Sequence, residues 1–129
     1  MVCLETTFLI DILRGKEKAM EMQKEFEKTE PSISVAAPSI MEIWRGAILK
    51  SSEKEKKKIN DFLSALTILP LDEKSSKESG EIEADLAKRG ELIGIADIMI
   101  AAIAKSNGKK LVTRDGDYAK IHGLTLLKY

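Results

Sequence analysis

Val2-Cys3-Leu4-Glu5-Thr6-Thr7-Phe8-Leu9-Ile10-Asp11-Ile12-Leu13 is the stretch on which the fold turns. Val2 to Leu4 reads as a short apolar strand, and Phe8, Leu9, Ile12 and Leu13 follow at helical spacing with no glycine or proline between. Thr6 and Thr7 offer hydroxyl N-caps for that helix. A strand running straight into a helix is the opening unit of an α/β chain. Glu5 stands at the junction, next to Leu4, where a carboxylate is costly to bury unless something compensates it.

The same alternation continues outward. Lys16 to Lys28 is charged, with Ala19, Met22 and Phe26 at helical intervals, and Pro31 stops it. Ile33 to Ala36 reads as a second strand. Pro38 then fits the first turn of a helix whose buried face is Ile40, Met41, Ile43, Trp44, Ala47 and Ile48. Ser52 and Glu55 match a capping box ahead of Ile59, Phe62, Leu63 and Leu66. Thr67 to Leu71 is a third strand, expected at a sheet edge because of Pro70. Asp72 to Arg89 is a polar, exposed helix with Ile82, Leu86 and Ala87 as its apolar positions, stopped by Gly90. Leu92 to Ala104 carries Asp97 as its single charge, the pattern of a buried helix ended by Gly108. Lys110 to Val112 and Leu124 to Leu127 are strands, separated by the turn Asp115 to Asp117 and a helical turn at Tyr118 to Ile121. Such alternation predicts a mainly parallel sheet with helices on both faces, whose ligands gather at the carboxyl ends of the strands.

A length of 129 residues suits one domain over the whole chain. Lysine plus arginine and aspartate plus glutamate number 21 each, so bulk charge marks neither a general nucleic-acid binder nor a membrane binder. The one cysteine, Cys3, forms no intramolecular disulfide, and no secretory leader or membrane span is legible, so the expected location is the cytoplasm.

Glu5, Glu42, Asp97 and Asp115 stand singly in apolar or turn-forming surroundings, which suggests an oxygen cage for a hard divalent cation such as Mg2+ or Mn2+. Each has an ordinary reading as well. Glu5 could be a solvated side chain at a strand end, Asp97 could be an N-cap, Glu42 could pair with Arg45 three residues on, and Asp115 and Asp117 flank Gly116 where turns favour these residues. Asp97, amid Ile95, Ala96, Ile98, Met99 and Ile100, carries the most weight, because burial there demands a hydrogen bond, a proton or a metal. The Asp-Gly-Asp triplet lacks the later glutamate of a calcium loop.

The ordered set is more specific than its members. Val2 to Asp11, Met41-Glu42-Ile43-Trp44-Arg45-Gly46, Ala96-Asp97-Ile98-Met99-Ile100-Ala101-Ala102 and Val112-Thr113-Arg114-Asp115-Gly116-Asp117-Tyr118 together resemble the PIN-domain family, nearest its VapC-type toxins, over almost the full chain. The resemblance implies a three-layer α/β/α sandwich and a metal-dependent ribonuclease. It implies Glu5, Glu42, Asp97 and Asp115 as catalytic metal ligands, with Asp117 as a further ligand and Thr7 and Thr113 in support. Bound Mg2+ or Mn2+ would activate water against a phosphodiester of single-stranded or loop RNA, tRNA among the candidates. A masking antitoxin and a homodimer are implied too.

Arg14, Arg45 and Arg114 lie beside the acidic motifs and are the candidates for holding RNA phosphate, against ion pairing as the plainer role. The run Lys54-Glu55-Lys56-Lys57 reads as a solvated helix face, Trp44, Phe62 and Tyr118 as core, and His122 has no motif partner. The resembling pattern has aspartate where this chain has Glu5. That departure motivates a second expectation, a weakened or silenced PIN-like module that binds RNA or an antitoxin. Phosphoryl-accepting receivers and haloacid-type phosphatases need an acidic pair or an Asp-x-Asp-x-Thr pattern after the first strand, and neither is present.

Overall fold

Val2, Cys3 and Leu4 are all buried, and they form the central strand of the sheet. The computed structural model describes residues 1–129. In chain order the elements are β1 (Val2–Leu4), α1 (Thr6–Leu13), α2 (Glu17–Thr29), β2 (Ile33–Ala36), α3 (Ala37–Leu49) and α4 (Glu53–Leu63). β3 (Thr67–Leu69), α5 (Glu73–Arg89), α6 (Ile95–Ser106), β4 (Lys110–Thr113), a short 3-10 turn at Gly116–Lys120 and β5 (Leu126–Lys128) complete the chain. The five strands pair in parallel in the order β3-β2-β1-β4-β5.

Strand alternation divides the interior into two cores. Val2, Leu4, Val35 and Val112 face Phe8, Leu9, Phe26, Ile43 and Ile59 from α1 to α4. Cys3, Ala36 and Leu111 face the opposite way, toward Leu86 of α5 and the apolar residues of α6. Two cores, one on each side of a parallel sheet, make the expected α/β/α layering. Burial pushes the Cys3 thiol up to about 12, so it is a packing group. No helix is long and apolar enough to cross a membrane.

Several local expectations need correction. Thr6 and Thr7 do not cap α1; Glu5 occupies the cap position and makes no side-chain cap bond, because the threonine hydroxyls are drawn to carboxylates instead. Met41 and Ile48 are each 49% exposed, so the buried stripe of α3 is narrower than its apolar content, resting on Ile43 and Ala47. Leu92 and Ile95 are also exposed, since α6 begins only at Ile95. Ser52 accepts from the Glu55 backbone N–H at 3.1 Å, but the Glu55 side chain turns to Lys50 and leaves the box half formed. A full capping box stands instead at α5, where Asp72 and Ser75 exchange bonds. That helix is not free-standing: Ile82 and Leu86 bury against α6, and Gly90 ends it at φ 68°, in the left-handed region that glycine enters without strain. β5 begins at Leu126, two residues later than the apolar run predicts, and Pro70 lies just outside edge strand β3.

Candidate active site

β1 and β4 lie side by side with Leu4 opposite Val112, and from this pair the chain winds outward in opposite directions. That is the switch point at which an open parallel sheet leaves a crevice beyond its carboxyl ends. Glu5 follows β1 directly. Thr113 ends β4, and Asp115 and Asp117 lie just beyond it. Asp97 enters from the first turn of α6 and Glu42 from α3.

Asp97, Asp115 and Asp117 converge, each offering a carboxylate oxygen within 4.8 Å of the others. The sole lysine on this group is Lys120, 3.4 Å from Asp117 Oδ1. Asp97 is the third residue of α6 and Gly94 is the cap residue, so the capping alternative for Asp97 fails. Burial raises the Asp97 carboxyl above its ordinary range, with the charges of Asp115, Glu42 and Asp117 adding to it against the Tyr118 hydrogen bond. An all-oxygen donor set with crowded negative charge fits a hard divalent cation. Asp115 also serves its turn, its Oδ1 accepting from the Asp117 backbone N–H at 2.9 Å, so the structural and ligand roles coexist.

Hydroxyl groups orient the other carboxylates. Glu5 is only 2% exposed, and its Oε1 accepts from both Thr7 and Thr113. Burial raises its carboxyl above the ordinary range, while these two bonds pull the other way. Thr113 Oγ1 in turn accepts from the Asp115 backbone N–H at 3.0 Å, so one hydroxyl joins the first acidic position to the last. The Thr6 hydroxyl donates to Glu42 Oε1 at 2.7 Å and lies 3.1 Å from the buried Ser39 hydroxyl. Glu42 thus makes no pair with Arg45.

Two contributors were missed in the sequence. Tyr118, completely buried and correctly read as core, also donates its hydroxyl to Asp97 Oδ1 at 3.1 Å. Burial and the neighbouring carboxylates of Glu5 and Asp97 raise its phenol, which keeps it a proton donor. Thr6, assigned to capping, holds Glu42. A tyrosine directly after an acidic turn gave a signal only for the core, since its partner lies 21 positions away.

The arginines divide. Arg114 is committed to Asp11, with Nε 2.8 Å from Oδ2 and Nη2 3.1 Å from Oδ1, and Tyr129 donates to the same carboxylate at 2.6 Å. The plainer role of ion pairing therefore describes Arg114. Arg14 and Arg45 are exposed and enter no ion pair.

A family model described as the PIN domain matches residues 2–124. Among curated proteins, the Ribonuclease VapC2 of Haemophilus influenzae is 36% identical over 115 residues, spanning 87% of this chain and 84% of its own. The tRNA(fMet)-specific endonuclease VapC of Shigella flexneri is 28% identical over 123 residues, 91% of this chain and 93% of its own. Among solved structures, a DNA bound VapBC from Salmonella typhimurium superposes with TM-score 0.87 at 27% identity, covering 99% of this chain and 98% of that one.

Proposed function

The chain belongs to the PIN-domain family, and from that premise we propose that it is a metal-dependent endoribonuclease, the toxin of a toxin-antitoxin pair, that hydrolyses RNA phosphodiester bonds. The observation that carries the reading is the convergence of Asp97, Asp115 and Asp117 within 4.8 Å at the sheet's switch point. The ribonuclease names of the relatives support the reaction, and the tRNA-specific name of one supports tRNA or another RNA with single-stranded loops as substrate.

Asp97, Asp115 and Asp117 would hold Mg2+ or Mn2+, with Glu42 and Glu5 completing the acidic wall. When bound, the cation supplies a water activated for attack and neutralises charge on the scissile phosphodiester. The chain's own work is orientation. Tyr118 fixes one oxygen of Asp97, Thr6 fixes Glu42, and Thr7 with Thr113 fixes Glu5, so the carboxylates are aimed before any ligand arrives. Preset aim lowers the cost of reaching a reactive geometry.

An antitoxin protein that covers the site is part of the proposal, supported by the likeness to a VapBC assembly. So is a homodimer in the cytoplasm, for which the exposed Met41, Ile48 and Leu49 of α3, the last 78% exposed, offer apolar surface. Incubating the protein with tRNA in Mg2+ and in Mn2+ tests the reaction. Cleavage that vanishes in Asp97→Asn is expected; no such cleavage in either metal would sink it.

Glu5 supports a second reading, in which this is a weakened module that binds RNA or an antitoxin. The observation behind it is that a longer side chain stands buried at the first acidic position with one oxygen taken by two hydroxyls.

A further inference from the structure

Gly46 lies in the interior of α3, where glycine is less favourable than alanine. Nothing in the backbone asks for it. Its φ is not positive, and a Cβ built there would meet no atom within 4 Å. What the missing side chain leaves is open space in a cleft of about 190 Å³ between α1, α3 and the start of α4.

The cleft has a consistent chemistry. Ile10, Leu13 and Ile43 give it apolar walls, and Glu42, whose other contact is Thr6 in the acidic site, forms one end. The other end is cationic. Arg14 and Lys50 line it, and both also line an adjoining groove of about 270 Å³ to which Lys54 and Lys58 contribute. Glu55 lines both the cleft and the groove and pairs with Lys50 at 3.7 Å, whereas Arg14 is exposed and has no carboxylate in ion-pair range. Arg14 and Lys50 stand at the C-caps of α1 and α3, where cations also favour the helix dipole. The dipole accounts for their charge, but it does not account for the glycine or for apolar walls left open to solvent.

We propose that this cleft is a nucleotide subsite, in which the base beside the scissile phosphodiester lies over Gly46 and the next phosphate meets Arg14. The inference rests on the ribonuclease reading and gives it a direction: the strand leaves the acidic site past Glu42 toward α4. Apolar walls suit the face of a base, and a free guanidinium suits a phosphate.

The test is binding of fluorescein-labelled octauridine RNA, followed by anisotropy in Mg2+, to full-length protein carrying Asp97→Asn so that the strand stays whole. Adding Gly46→Leu, which fills the cleft, or Arg14→Gln is expected to weaken binding about ten-fold, and Arg14→Gln to lower the salt slope by about one. Gly46→Ala is expected to bind nearly as the parent and melt higher, and Lys77→Gln, on α5, to change nothing. Unchanged binding in a folded Gly46→Leu protein overturns the proposal. Arg14→Gln, at an exposed position, decides it in the same way if Gly46→Leu does not fold. Octaglutamate competing as well as the RNA overturns it too, marking the groove as a site for acidic polypeptide. If the protein without Asp97→Asn cuts no RNA while these variants still lose binding, the ribonuclease reading falls and the strand-binding cleft stands.

Discussion

Arg114 lies across Asp11 with two parallel hydrogen bonds, 2.8 Å and 3.1 Å, and so ties the loop that carries Asp115 to α1. Asp11 is 5% exposed, and its carboxyl is held below the ordinary carboxylate range by the Arg114 guanidinium, with Tyr129 assisting against the cost of burial. The Arg114 backbone N–H also donates to Thr7 at 3.3 Å, beside the hydroxyl that grips Glu5.

Asp11→Asn should therefore cost on the order of 1–3 kcal/mol at neutral pH in urea unfolding. The sign with pH follows from the lowered carboxyl. The contribution is complete above the unfolded value of 3.8 and is lost as pH falls through the lower folded value, so the gap between wild type and variant should narrow below about pH 4. Arg114→Lys should not restore the pair, because lysine cannot span both oxygens. RNA cleavage should fall by about a hundredfold in Asp11→Asn if the Asp115 loop shifts by about 1 Å.

Asp97→Asn should melt higher than wild type in EDTA, because the carboxylate sits among Asp115, Glu42 and Asp117 with burial against it. Adding Mn2+ should raise the melting temperature of wild type and not of the variant, since only a group that binds the native state shifts the midpoint. Calorimetry with and without Mn2+ checks both. A variant that melts lower in EDTA would show that Asp97 is structural.

Glu5→Asp shortens the side chain by one methylene, too short to keep both threonine hydroxyls in place. The expected result is a loss of about 1 kcal/mol without a gain in cleavage. A large gain in RNA cleavage would instead select the weakened reading of the natural chain.

Thr113→Val keeps the shape of a fully buried residue and removes a hydroxyl that both gives to Glu5 and receives from Asp115. The Asp115 N–H and the Glu5 oxygen each lose a partner, so the cost should reach about 1–3 kcal/mol in thermal or urea unfolding, with cleavage reduced. Thr113→Ser should recover most of both.

Sequence patterning disclosed the parallel sheet and the helices because apolar runs and turn residues are local. β1, β2, β4 and the edge position of β3 stand where Val2, Ile33, Lys110 and Pro70 predicted. β5 slipped because Leu124 and Thr125 follow Gly123, at φ 77°, before the strand pairs, and apolar content alone does not mark where pairing begins. Asp97 and Asp115 were readable as isolated acids, whereas Asp117 entered only through the family resemblance, and the convergence of the three belongs to the fold. The hydroxyls that aim the acids were not, because Thr113 and Glu5 are separated by 108 positions and Tyr118 and Asp97 by 21. Thr6 and Thr7 show the limit plainly: a threonine before a helix has a local use as a cap, and only the fold brings up a carboxylate to compete for it.

The long reach from Glu5 to Thr113 bears on how the protein is made. β1 leaves the ribosome well before one of its flanking strands, β4, and three of the acids around it, Asp97, Asp115 and Asp117. A nascent polypeptide that stops short of Thr113 can place neither the last ligands nor the Thr113 hydroxyl that grips Glu5. No acidic site can therefore form near the ribosome's own RNA until β4 and the turn after it have been made, a delay set by topology alone.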